Sequence, residues 1–193
     1  MTSRPVSGSS SAQSAGAGVY LYRLVGAALL DASIYEGVEV DRRANVQALT
    51  TVLLSSVAAG IGASGWYGPR PLILLLVVLI AIACWVAWAM LTFQVGTRML
   101  PARETQVTLG ELLRTIGFAA APGILQVFAI LPRMTTPIFV ATWLWMFAAM
   151  VIAVQHALDY PTTRRAVAVC ALAAGLVLVV AIGFGVLFGP KVS

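Results

Sequence analysis

Charged and metal-binding residues are scarce in this sequence. Of its 193 residues, 60% are hydrophobic and only 10% are charged, and the mean hydropathy is +0.94. A soluble domain has about 25% charged residues, so the few polar side chains here cannot cover the outside of a globule of this size. The composition therefore excludes a soluble enzyme, a secreted disulfide scaffold and a nucleic-acid-binding domain.

Residues that could support metal binding or catalysis are also few. One histidine and two cysteines cannot form a structural zinc site, which needs four ligands. The GxxxxGK[ST] P-loop pattern, the GxSxG elbow and the HExxH zinc motif are absent. Cys84 and Cys170 are expected to be free, buried thiols at different depths. The sequence predicts no cofactor, no metal and no catalytic residue.

Long uncharged stretches dominate the rest of the chain. A bilayer core of about 30 Å needs about 20 helical residues, and five stretches approach or exceed that length. The sequence predicts an all-α polytopic membrane protein, with five transmembrane helices preceded by an amphipathic interfacial helix. The transmembrane domain is expected over residues 44–189, followed by a short tail at 190–193, with spans at about 46–64, 71–96, 112–131, 137–155 and 166–188.

Two of these spans have recognisable start signals. Thr108 is followed three residues later by Glu111, which is the pattern of a capping box before the third span. Thr136 followed by Pro137 predicts a capping threonine and a proline at the first helical position of the fourth span.

The N-terminal region divides into two parts. Residues 1–18 are rich in Ser, Gly and Ala and are expected to form a disordered tail. Residues 19–43 are expected to form an amphipathic helix, over 19–36, and a linker. Apolar residues recur in it with helical spacing, but Arg23 and Asp31 make it too polar to span. It is expected either to lie in the membrane interface or to pack on the bundle from the cytoplasm.

Basic residues alternate between the two sides of the predicted bundle. Nine of the twelve lie in the N-terminal region, in the connection after the second span and the first turn that follows it, or in the connection after the fourth span. The positive-inside rule therefore predicts a multi-pass protein of the cell (inner) membrane, with the N-terminus in the cytoplasm and the C-terminus outside.

A proline inside the third predicted span is the clearest local irregularity. Pro122 has no N–H group, so an α-helix through it loses one backbone hydrogen bond and frees the carbonyl of Phe118. Gly117, Gly123 and the alanines between them form a small-residue surface that favours close helix contact. The sequence predicts either packing within the bundle or a seam with another subunit.

Four polar residues complete the candidate functional positions. Gln126 lies deep in the third span, where it forms an interhelical hydrogen bond or contacts a solute. His156, at the end of the fourth span, is either a solvated side chain or a pH-sensitive group. Arg164 and Arg165 form a basic pair just before the last span.

Three stretches stand in a recognisable order around the spans. They are YEGVEVDRRANVQAL at 35–49, LLRTIGFAAAPGIL at 112–125 and HALDYPTTRRAVAVCAL at 156–172. With five spans and a cytoplasmic N-terminus, this order resembles the Yip family of membrane proteins, named for interaction with Ypt/Rab GTPases, and its bacterial branch in particular. The resemblance covers about residues 19–188. The Gly117-Phe118…Pro122 pattern and the Arg165-Ala166 junction carry most of it.

The resemblance implies a non-enzymatic protein that organises the membrane or scaffolds a membrane partner. Eukaryotic members are linked to vesicle traffic and membrane shaping. Their cytosolic motif Asp-Leu-x-Gly-Pro is absent here, which argues against a Rab-like partner. The expected partners are the lipid bilayer and either a membrane protein or a second copy of the chain. The alternative hypothesis is a small oligomeric transporter or channel-like protein for a neutral solute.

Overall fold

The computed structural model describes residues 8–99 and 108–188, and nearly all of both stretches is helical. No β-strand occurs in either stretch, which confirms the all-α class. The elements are α1 (Gly8–Ala28), α2 (Ala32–Val40), α3 (Ala44–Tyr67), α4 (Pro71–Gln94), a π-helical turn (Val95–Met99), α5 (Leu109–Ala119), a 3-10 helix (Ala121–Ile130), α6 (Thr135–Ala157) and α7 (Thr163–Phe188).

Four helical segments are long and apolar enough to cross a membrane, and they coincide with the first four predicted spans. They are Ala44–Tyr67, Pro71–Arg98, Leu109–Ile130 and Thr135–Ala157. Helices suit this environment because their backbone hydrogen bonds are satisfied within the segment. The fifth span stays a prediction. It rests on the 26 residues of α7, about 39 Å of helix, which have no charged side chain after Arg165.

The helix starts agree with the sequence at α5 but not at α6. At α5, the Thr108 hydroxyl accepts from the Glu111 N–H at 3.3 Å, and the Glu111 carboxylate accepts from the Thr108 N–H at 2.8 Å. This confirms the predicted capping box. The predicted Thr136 cap is wrong: α6 begins at Thr135 and has no side-chain cap. The Thr135 hydroxyl donates instead to the Ala129 carbonyl at 2.7 Å, which ties the helix start to the preceding segment.

The third span changes helix type near Pro122, where the sequence predicts an α-helix that lacks one backbone hydrogen bond. After α5 ends at Ala119, a ten-residue 3-10 helix begins at Ala121, with Pro122 in its first turn. The missing N–H of this proline is harmless there because first-turn N–H groups have no partner within the helix. A 3-10 helix rises about 2.0 Å per residue, so ten residues extend about 20 Å instead of about 15 Å. A short apolar segment thereby reaches further across the bilayer.

The N-terminal region also differs from its prediction. Residues 8–18 belong to α1 where a disordered tail was expected, because this helix extends from the packed segment at Tyr20 through Ala, Ser and Gln, which a helix tolerates. The helix expected over 19–36 is divided in two. Leu30 has a φ of 65°, which ends α1, and Asp31 caps α2 by accepting from the Ser33 N–H at 3.0 Å.

Small residues set the spacing between α3 and the third span. A Cβ added at Gly117 would lie 2.8 Å from the Ala48 Cβ, and one at Gly123 would overlap the Ser55 hydroxyl. A Cβ at Gly62 would overlap the Gln126 carbonyl. In these contacting pairs, the residue numbers increase in the same direction along α3 and along the third span, so the two segments run parallel. We call this interface the glycine seam.

The two ends of the bundle differ in charge, as the sequence predicts. One end, where α3, α5 and α7 begin and α6 ends, is called the basic end. Its described arginines are Arg23, Arg42, Arg43, Arg98, Arg114, Arg164 and Arg165. Arg70 and Arg133 lie at the other end, which we call the opposite end.

The two cysteines lie in different surroundings and are both free thiols. Cys170 is buried on α7, whereas Cys84 is exposed on α4. The prediction of a buried Cys84 is therefore wrong. The reason is that α4 turns most of its surface outwards, where lipid rather than protein covers an apolar helix.

The glycine seam predicts opposite effects for two alanine substitutions. Gly62→Ala places a methyl group against the Gln126 carbonyl and should lower the free energy of unfolding by about 1–3 kcal/mol. Gly175→Ala, on α7, meets nothing within 4 Å and should be neutral or raise stability by up to about 1 kcal/mol. Thermal unfolding in detergent measures both. Equal stability of the two variants would contradict the seam.

Candidate functional site

Four of the sequence-predicted site residues lie together in the glycine seam. Gly117 and Gly123 face α3, and Pro122 is buried between them at the start of the 3-10 helix. The Gln126 amide donates to the Thr142 hydroxyl of α6 at 3.2 Å and is 4% exposed. These contacts join α3, the third span and α6, so they support internal packing and an interhelical hydrogen bond.

The other three predicted residues lie at the basic end and are not brought together. His156, near the end of α6, has its Nδ1 3.4 Å from a Glu36 carboxylate oxygen. Arg164 and Arg165 are exposed in the first turn of α7. Within the described residues, no three His, Cys, Asp or Glu side chains are placed to hold a metal ion.

α1 and α2 fold back on each other at the basic end. The Tyr35 hydroxyl donates to the Ala27 carbonyl at 3.0 Å, and Gly26 lies against the side chain of Ile34. Near the other end of α2, Arg23 contacts Asp41 at 2.7 Å. We call this pair of helices, with its turn, the α1–α2 hairpin.

Both helices of the hairpin dock on the bundle. The Tyr20 hydroxyl lies 3.2 Å from the Thr51 hydroxyl of α3, and its ring packs on Phe118 of α5 with centroids 6.4 Å apart. The Trp145 indole of α6 donates to the Ala28 carbonyl at 2.7 Å. From α2, Tyr35 and Val38 are fully buried in the core. The hairpin is therefore part of the folded bundle.

Arg114 is the residue that sequence reasoning missed. Its side chain is 5% exposed, and its guanidinium donates to the Asn45 side-chain oxygen at 3.2 Å and to the Glu39 carbonyl at 2.5 Å. It therefore links α5 to the end of α2 and the start of α3. Its Nε has no partner among the described residues. A signal was present, since Arg114 lies inside the predicted third span, where a cation must find partners.

Carboxylates surround the α2 side of this link. Burial raises the pKa of Glu39 to about 7, and the charges of Asp159, Glu111 and Glu36 add to the effect, while Arg114 opposes it. The pKa of Asp41 is lowered, chiefly by its hydrogen bond from Arg23. Ionisable groups thus cluster at the end of α2, where Arg23 and Arg114 supply the hydrogen bonds.

Arg114→Ala should release α2 from α5. The loss of two hydrogen bonds from a charged donor removes about 1.5–3 kcal/mol each, and the Glu39 carbonyl loses its buried partner. Amide hydrogen exchange over Ala32–Val40 should become faster while exchange in α4 stays unchanged. Arg42→Ala, an exposed arginine at the same end, is the matched control and should leave α2 protected.

Docking of α2 should also depend on pH through Glu39. Its pKa of about 7 when docked exceeds the ordinary value of 4.5, so the docked form binds the proton more tightly. The stabilisation is therefore complete below about pH 4.5 and is lost as the pH rises through about 7. Amide exchange in α2, corrected for intrinsic rates, should be slower at about pH 6 than at about pH 8. Glu39→Gln should at least halve this difference, and an unchanged difference would contradict the assignment.

The comparison with known families covers all of these features. Residues 13–184 match the family model described as the Yip1 domain, a region that includes most of α1 and continues well into α7. No curated protein and no solved structure gave a match. The matched family is one of non-catalytic membrane proteins. The hairpin, the glycine seam and the spanning helices thus lie in one matched domain, and the chain belongs to the Yip family of membrane proteins.

Proposed function

We propose that this protein is a non-enzymatic organiser of the membrane, and that the α1–α2 hairpin carries this role. The observation behind the proposal is that the hairpin adds two helices at the basic end alone. Its contacts with Thr51, Phe118 and Trp145 lie in the half of the bundle nearest that end or at its middle. An α-helix with side chains is about 10–12 Å wide. The protein would therefore occupy more area in one leaflet than in the other.

The outer face of α1 supports lipid as the material that the hairpin meets. Leu21, Tyr22 and Val25 of α1, and Leu29 in the turn that follows, are between 55% and 70% exposed, although Tyr20 and Ala27 of α1 face the bundle. An apolar helix face next to a bundle of spanning helices is stable where acyl chains cover it. This arrangement combines the two positions considered for the helix, since one face packs on protein and the other is available to the membrane.

The charge distribution supports a cytoplasmic position for the hairpin. Basic residues concentrate at the end that carries the hairpin, and the positive-inside rule assigns such an end to the cytoplasm. The N-terminus would then be cytoplasmic, the C-terminus outside, and the enlarged area would lie in the cytoplasmic leaflet. When one leaflet has the greater area, the membrane curves so that this leaflet is on the convex side.

Reconstitution into vesicles tests the proposed role. Wild-type protein at increasing protein-to-lipid ratio should shift vesicles towards smaller diameters or tubules in electron micrographs. Leu21→Gln combined with Val25→Gln makes the outer face of α1 polar and should abolish the shift, because a polar face does not insert among acyl chains. Circular dichroism and thermal unfolding should confirm that this variant remains folded.

A matched control uses exposed apolar residues at the opposite end. Leu131→Gln combined with Met134→Gln changes two residues of the same kind, each 50% exposed, away from the hairpin. It should retain the wild-type effect on vesicles. Vesicles of unchanged diameter with wild-type protein would contradict the proposal, as would equal losses in the two double variants.

A further inference from the structure

An apolar groove lies at the opposite end of the bundle, between α3, α4 and the end of the 3-10 helix. Its volume is about 340 Å³, within the range of about 300–1,000 Å³ that is usual for small-molecule sites. Ile61, Ile73, Leu74 and Ile130 supply apolar walls. The Ser64 hydroxyl, also in the lining, donates to the Ile61 carbonyl at 2.6 Å and so is satisfied within its own helix.

Arg70 stands at one end of this groove. Among the described residues that line the groove, Arg70 is the charged one. Its side chain is exposed and has no ion-pair partner among the described residues. A guanidinium presents five N–H donors in a planar fork that fits phosphate oxygens. The first turn of α4, which begins at Pro71, adds positive partial charge at the same place.

The depth of Arg70 matches that of a lipid headgroup. Trp66 and Tyr67, about half exposed, end α3 just before it, and such aromatic residues mark the level of the membrane interface. From Arg70 the groove continues towards the bilayer core, past Ile73 and Leu74 on α4 and Ile61 on α3. The same groove thus has a cation at headgroup level and apolar walls one or two helical turns deeper.

We infer that this groove binds one anionic phospholipid, with its phosphate on Arg70 and an acyl chain along the α3–α4 groove. A soluble anion would leave the apolar walls unused, and a zwitterionic lipid would bring its own cationic group close to the guanidinium together with its phosphate. The site is separate from the α1–α2 hairpin, which lies at the basic end. Lipid binding at this site can therefore be tested independently of the proposed membrane-organising role.

Lipid retention tests the inference on the full chain. Wild-type protein from nanodiscs with equal amounts of phosphatidylglycerol and phosphatidylcholine is released in the mass spectrometer, and the retained lipid is counted. We expect one phosphatidylglycerol per chain, preferred about fivefold, because one arginine at an anionic membrane surface contributes about that factor. Arg70→Ala should reduce the preference to near one.

Two further variants separate the groove from general surface charge. Arg133→Ala removes the other described arginine of this end, which does not line the groove, and should retain the wild-type preference. Ser64→Leu keeps Arg70 but fills the groove from α3 and should lose the bound lipid, with thermal unfolding confirming the fold. Wild-type retention in Arg70→Ala or Ser64→Leu would overturn the site. So would an equal loss in Arg133→Ala, or displacement of the lipid by inorganic phosphate.

Discussion

The close approach of α3 to the third span is the contact on which the rest of the bundle depends. Gly62, Gly117 and Gly123 remove side chains where the two backbones meet, and Ala48 and Ser55 fill the remaining space. In a membrane, helices associate through such close packing, because lipid is as apolar as the helix surface. The 3-10 conformation serves the same contact, since it is tighter than an α-helix and longer per residue. The other helices pack around this pair.

Arg114 extends this central pair to the N-terminal hairpin. Arg114 lies on α5, which is the first part of the third span. The Arg114 guanidinium therefore holds the end of α2 and the start of α3 to the segment that forms the glycine seam. A buried cation is costly unless donors find acceptors, and here an amide oxygen and a backbone carbonyl supply them. The same docking buries the Glu39 carboxylate, which is the main cause of its raised pKa, and the charges of Asp159 and Glu111 add to the effect.

Features set by neighbouring residues could be predicted from the sequence, and those set by distant partners could not. The Thr108–Glu111 capping box depends on residues three apart, and length and hydropathy predicted five spans, of which the first four coincide with helices long and apolar enough to cross a membrane. The local sequence around Pro122 is compatible with an α-helix, whereas the 3-10 helix found there packs on residues of α3, Ser55 and Gly62, that are distant in the chain. Likewise, the partners of Arg114 lie 69 and 75 positions away in the chain.

Packing through small residues also decides what the bundle presents to its surroundings. Glycine and alanine occupy many of the interior contacts, whereas bulky apolar side chains such as Leu76 and Trp143 point outwards, and α4 is covered by protein along little of its length. Lipid is the favourable solvent for that surface, and the described arginines lie towards the two ends. The ends are therefore where we propose that this protein distinguishes one membrane from another, by headgroup charge at Arg70 and by leaflet area at the hairpin.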